Sequence, residues 1–149
     1  MPRKKPSWTS SAGSWGSSRE PGSWTGAVGV TLSGEQATLA RKRAAEAGLT
    51  ERVDIRVQDY RDISDGPYDA ISSIGMSEHV GREQTPGYAA ALFAHLAPGG
   101  RLLNHAISWN AGPTSPDPDS FIPRYVFPDG EMISLGEMVT ALAAAGFEV

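Results

Sequence analysis

Asp59, Tyr60 and Gly75 are the residues of this chain best suited to a nucleoside, and Glu78, His79 and His105 are the ones whose types could hold a metal ion. Asp59 can accept from an exocyclic amine, Tyr60 can stack on a heteroaromatic ring, and Gly75 lets the backbone approach a ligand closely. Each residue also has a plainer role. Tyr60 can pack over a sheet end, Glu78 can be a solvated loop acid, and His105 can be a hydrogen-bonded core histidine. His79 reads as structural, and His95 as a helix residue without chemistry. Zinc held by Glu78, His79 and His105 is disfavoured, because adjacent residues point in different directions and no His-x-x-x-His spacing occurs. The absence of cysteine excludes disulfides and thiol metal sites. Dinucleotide binding fares no better: no Gly-x-Gly-x-x-Gly follows a strand, and no acid ends the run Val28 to Leu32 to hold a ribose.

These residues act together only if the chain brings them to one place. From Val28 onward, apolar strands alternate with helices. Val28 to Leu32 reads as a strand, and Ser33-Gly34-Glu35-Gln36 fits a capping box for the helix that follows. Ala37, Ala40, Ala44 and Ala47 recur at helical spacing, and Gly48 ends that helix as a left-handed cap. Val53, Ile55 and Val57 alternate as a strand, and Tyr68 to Ile74 reads as a buried one. Thr85-Pro86 opens a helix with proline at its first position, with Tyr88, Leu92 and Leu96 along one face. Pro98-Gly99-Gly100 breaks it, and Arg101 to Ile107 forms the next strand. Trp109 to Ser120 reads as a loop, Leu135 to Ala145 as a helix, and Phe147-Glu148-Val149 as the start of a strand. This alternation predicts an α/β fold with a doubly wound, mainly parallel sheet. Ligands of such sheets bind beyond the carboxyl ends of the strands. Thr31-Leu32-Ser33, Gln58-Asp59-Tyr60, Ile74 to His79 and Asn104-His105-Ala106 fall at those ends and are expected to form one rim.

The 149 residues suit one domain, and the 40% hydrophobic, 20% charged composition is ordinary for a globular chain. A net charge of -4 without a basic stripe argues against a nucleic-acid partner. Arg3, Lys4 and Lys5 read as a solvated terminus rather than a membrane contact. No apolar run approaches the roughly 20 residues that span a bilayer, and no secretory signal is present, which points to the cytoplasm. Residues 1–27 differ from the rest: Ser, Gly, Pro and Trp dominate, and Leu, Ile and Val are absent. They read as a separate, disordered segment supplying no central strand, with 28–149 as the domain.

Six blocks in order make the comparison sharper. Gly29-Val30-Thr31-Leu32-Ser33-Gly34-Glu35-Gln36, Gln58-Asp59-Tyr60-Arg61-Asp62, and Ser73-Ile74-Gly75-Met76-Ser77-Glu78-His79-Val80-Gly81 come first. Pro98-Gly99-Gly100, Leu102-Leu103-Asn104-His105-Ala106-Ile107 and Phe121 to Gly130 follow. Together they resemble the cyclopropane-fatty-acyl-phospholipid synthase and mycolic-acid cyclopropane synthase family of S-adenosylmethionine (SAM) methyltransferases, over roughly Val28 to Val149. The resemblance implies an incomplete class I, Rossmann-like methyltransferase sheet. It implies that Thr31, Leu32 and Gln36 line the ribose and methionine side of SAM, and that Asp59, Tyr60 and Arg61 surround the adenine. Ile74 and Gly75 would adjoin the cofactor, with the Gly75 backbone also facing a bicarbonate held by Glu78 and His105. The implied reaction is methyl and methylene transfer to unsaturated acyl chains of phospholipid, with peripheral membrane contact: an alkene attacks the SAM methyl group, and bicarbonate takes a proton as the ring closes. The Phe121 to Gly130 block is assigned no chemistry.

Two departures qualify the resemblance. The family's first strand and its loop, of the form Leu-Asp-x-Gly-Cys-Gly-Trp-Gly, belong just before Val28, where this chain has Trp8-Thr9-Ser10-Ser11-Ala12-Gly13-Ser14-Trp15-Gly16. Leu-Asp codons read one base later give Trp-Thr, the pair found at Trp8-Thr9 and Trp24-Thr25, so residues 1–27 read as an out-of-frame version of that strand and loop. The family's lipid-facing region, a catalytic Cys, a later Tyr and a sheet-completing extension also lie outside these residues. Two rival functions follow: a non-catalytic remnant, and a methyltransferase acting on a small molecule.

Overall fold

The computed structural model describes residues 9–13, 26–108 and 132–149, the first group by backbone alone. Five strands form one sheet: β1 (Thr9–Gly13), β2 (Ala27–Thr31), β3 (Val53–Val57), β4 (Tyr68–Ile74) and β5 (Leu96–His105). The order is β3-β2-β1-β4-β5. Helix α1 (Gly34–Glu46) joins β2 to β3, α2 (Thr85–Ala94) joins β4 to β5, and α3 (Leu135–Ala145) follows. β2 pairs with β3 and β4 with β5 in parallel, whereas β1 is antiparallel to both its neighbours. Four strands therefore run one way, as the alternating pattern requires. The two crossovers run in opposite directions across the sheet, and right-handed connections then put α1 and α2 on opposite faces. Thr31 accordingly bonds to Gln36 on α1, while Val28 and Leu32 pack toward the cluster under α2 and α3.

The central position of β1 corrects the expectation that residues 1–27 supply no central strand. Without it, β2 and β4 would each present an unpaired row of N–H and C=O groups, and any extended backbone satisfies those. The neighbours make few side-chain demands, since Ser11 lies opposite Gly29 and Ser72, and Ser10 opposite Ser73. The direction also has a cause. A parallel β1 would need a crossover of about a dozen residues or more, usually helical, and Ser14 to Gly26 carries no helical apolar pattern. The remainder of 1–27, and with it the reading of disorder, lies outside the described residues, as do the segments Trp109 to Ser120 and Phe121 to Gly130.

Helix α1 starts as its sequence demands, but only half of the capping box forms. Ser33 Oγ accepts from the Gln36 amide at 3.2 Å, while Gln36 Oε1 accepts from Thr31 Oγ1 at 2.9 Å instead of turning back to Ser33. A full capping box forms on α3, where Ser134 and Glu137 satisfy each other's backbone N–H groups. Pro86 is the second residue of α2, not the first, and Leu96 begins β5 rather than lining the helix. Pro98-Gly99-Gly100 falls within β5, where the register slips between Tyr68 and Ala70. Phe147 starts no strand. Its amide donates to Leu142 O, and its ring meets Phe93 edge-on at 5.1 Å. The core, Tyr68, Ile71, Met76, Tyr88, Ala89, Leu92, Ile133, Met138 and Leu142, lies between β4 and the α2–α3 pair.

Candidate functional site

The carboxyl ends of β2 and β3 open into a cleft of about 780 Å³ whose walls include Thr31, Leu32, Gln58, Asp59, Tyr60, Arg61, Met76, His79 and Val80. Asp59 caps the short turn Tyr60–Asp62, its Oδ1 accepting from the Arg61 amide at 2.9 Å. Arg61 closes onto the same carboxylate through Nε at 2.9 Å and Nη2 at 2.6 Å. This pairing raises the guanidinium's affinity for its proton and orients the carboxylate. The Arg61 guanidinium also lies 5.9 Å from the Tyr60 ring centroid. Tyr60 meets Tyr88 edge-on at 5.7 Å, and burial pushes its phenol upward. Thr31 is 6% exposed; its hydroxyl accepts from Ser33 N and donates to Gln36, which places Gln36 beside the cleft without lining it.

The turn Met76–Val80 divides this cleft from a second, smaller cavity. Met76, His79 and Val80 face the cleft. Ser77 and Glu78 face a cavity of about 70 Å³ shared with Asn104, Ala106, Ile107, Ile133 and Met138. Glu78 is no solvated loop acid, being 3% exposed. Its Oε1 accepts from Ile107 N at 2.8 Å, while Oε2 is buried with no partner among the described residues. His79 is half-buried, and burial holds its imidazole below the usual histidine range. Gly75, at φ +62, makes the left-handed turn that leads from β4 into this segment.

The expected pairing of Glu78 with His105 is not formed. Asn104 Oδ1 bonds the Tyr88 hydroxyl on the α2 face, and strand alternation then turns His105 to the opposite face. There it is exposed and lines neither cavity. Gly75 and His105 meet through the main chain instead, Gly75 N donating to His105 O at 2.9 Å. Ile74, 47% exposed, pairs with His105 in register and stands outside the cleft. Sequence reasoning missed Tyr88 as a junction. Its hydroxyl lies 2.7 Å from both Ser73 Oγ and Asn104 Oδ1, tying α2 to β4 and β5 beneath the two cavities. The available signal was that Ser73 and Asn104, both polar, fall on the strand faces that also carry the apolar Ile71 and Leu102. Among the described residues, no group of three His, Cys, Asp or Glu is placed to hold a metal ion. Among them too, no helix is long and apolar enough to cross a membrane.

Comparison with known proteins agrees with this fold. The family model for mycolic acid cyclopropane synthetase matches residues 18–149. A probable fatty acid methyltransferase of Mycobacterium tuberculosis is 40% identical over 122 residues, covering 82% of this chain and 29% of the relative. The cyclopropane-fatty-acyl-phospholipid synthase of Escherichia coli is 38% identical over 111 residues, covering 74% of this chain and 27% of the relative. The chain thus spans about a third or less of the length of these relatives. Among solved structures, the cyclopropane synthase MmaA2 of Mycobacterium tuberculosis superposes with a TM-score of 0.71 at 26% identity, over 82% of this chain and 46% of that one. A geranyl diphosphate methyltransferase in complex with SAM gives 0.68 at 27% identity, over 79% and 47%. On the sequence blocks, the sheet and these matches, the chain belongs to the mycolic acid cyclopropane synthetase family, whose fold is that of the class I SAM methyltransferases.

Proposed function

We propose that residues 28–149 carry the nucleoside-binding part and the buried acid of a SAM-dependent methyl or methylene transfer to unsaturated phospholipid acyl chains at the cytoplasmic membrane surface. The observation that carries this is the cleft at the ends of β2 and β3, where Thr31, Asp59, Tyr60 and Arg61 converge. When bound, SAM supplies an electrophilic methyl group. The adenosyl end fits the residues present: an aromatic ring, an oriented carboxylate and a threonine–glutamine pair. The amino-acid end does not fit. β1 is antiparallel, so Gly13 at its carboxyl end pairs with Ala70, at the sheet edge remote from Thr31 and Ile74. Gly13, the end of β1 that such a loop would follow, therefore lies away from the rim.

Glu78 would serve as the acceptor for one small acid. A cavity of about 70 Å³ exceeds the ~30 Å³ share of one water, and Oε2 is the free edge of a carboxylate already anchored through Oε1. Bicarbonate suits that position through its hydroxyl group, with His105 taking no part. The isolated chain binds SAM weakly and does not turn over lipid. Losing even two charge-assisted hydrogen bonds, at about 1.5–3 kcal/mol each, lowers affinity by roughly 100-fold or more. Calorimetric titration with SAM, paired with a methyl-transfer assay on unsaturated phospholipid vesicles, tests this. Weak binding without turnover is expected; micromolar binding with turnover would refute the remnant reading.

A further inference from the structure

The cleft is lopsided, and the imbalance bears on what it can distinguish. Its nucleoside walls are built, as described above. The basic residues among its described walls are Arg61 and His79. Arg61 is closed onto Asp59 by two side-chain hydrogen bonds. His79 is half-buried, and burial disfavours its charged form. The nearby start of α1 is a poor place for an anion: Ser33 already caps the Gln36 amide, and Glu35 places its own carboxylate in the first turn, bonded to Ser33 Oγ at 3.0 Å. The carboxyl end of β1, which could carry backbone donors, lies at the other edge of the sheet. Among the described residues, a zwitterionic amino-acid tail in this cleft thus meets no unpaired cation and an unfavourable acid.

We infer that the cleft recognises the adenosine moiety alone and does not discriminate among adenosine, 5′-methylthioadenosine, S-adenosylhomocysteine (SAH) and SAM. The inference rests on the cleft being a nucleoside site. In a site that also held the tail, each carboxylate or ammonium contact would favour SAH and SAM over the two shorter ligands. Here the four share one set of contacts, so their affinities converge.

Calorimetric titration of the full chain with each of the four, and with guanosine as a control, tests this. Adenosine and 5′-methylthioadenosine should bind within about threefold of SAH, and guanosine should not saturate. SAH binding about 30-fold or more tighter than adenosine, equivalent to two kcal/mol or so, would overturn the inference while leaving the nucleoside cleft in place. If none of the adenosine compounds saturates, the nucleoside reading itself fails. Tyr60→Leu should weaken all four together, by about tenfold. Unchanged affinities in that variant would place the ligands elsewhere and sink the proposal. Should the variant not fold, the ligand series on the unaltered chain still decides.

Discussion

Replacing Tyr88 with phenylalanine removes one oxygen from the point where α2, β4 and β5 meet. Tyr88 is 1% exposed and Ser73 0% exposed. Asn104 Oδ1 can only accept, so the single phenolic proton goes to it, and Ser73 Oγ–H donates to the phenolic oxygen. The ring of Tyr88→Phe keeps its packing and its edge contact with Tyr60, which isolates the polar effect. Two polar atoms lose their partner. Each buried orphan costs about 1–3 kcal/mol. Asn104 borders the small cavity beside Glu78 and can relax toward it, so the sum should lie at the lower end, about 2 kcal/mol. With an m-value of about 1.5 kcal/mol/M, the urea midpoint should fall by roughly 1.3 M. Far-ultraviolet circular dichroism in urea reads this directly. Adding Ser73→Ala to the variant removes one orphan and should recover about 1 kcal/mol, a coupling that a double-mutant cycle isolates. A loss under about 0.3 kcal/mol, or no recovery in the double variant, would refute the three-way junction.

Gly146→Ala should lower the thermal midpoint by about 6 °C, because Gly146 sits at φ +112 and a Cβ there would come 2.8 Å from the Phe93 ring. Gly87→Ala, with an open position in α2, should raise the midpoint instead; equal effects from the two would show that the α3 end is not packed as described. Burial, then the nearby Asp65, pushes the Tyr68 phenol up to about 12 from its ordinary 10.0. A raised folded value means that its contribution is complete below pH 10 and is lost as pH rises toward 12. Alkaline titration followed by phenolate absorbance should show Tyr68 ionising only as the chain unfolds, and its ionisation at the ordinary value in folded protein would contradict the burial.

Local chemistry carried a good part of this molecule. Helix α3 runs from Leu135 to Ala145 as its periodicity requires, and Gly48 and Gly146 end their helices in the left-handed conformation. Those outcomes depend on a few neighbouring residues, and so they are legible in the sequence. The approach of Thr31, Asp59 and Tyr60 to one cleft follows nearly as directly, because parallel strands joined by helices must bring their carboxyl ends to one edge.

What the sequence could not determine depends on partners far along the chain. Composition rejected a central strand from residues 1–27, but the open backbones of β2 and β4 accept Thr9–Gly13 whatever its side chains. Its direction then follows from a connection too poor in helix signals to cross over. The fate of His105 was equally invisible. A strand end places the residue near the rim, yet which face it turns to is set by the bond between its neighbour Asn104 and Tyr88 on α2. Glu78 is the converse case: as an isolated loop acid it reads as solvated, and the packing of Met138 on α3 and of Ile133 around its turn buries it. Sequence alone determines elements whose stability is local; strand direction, the face of a side chain and the burial of a charge are decided by distant backbone and side-chain partners that exist only after the sheet has closed.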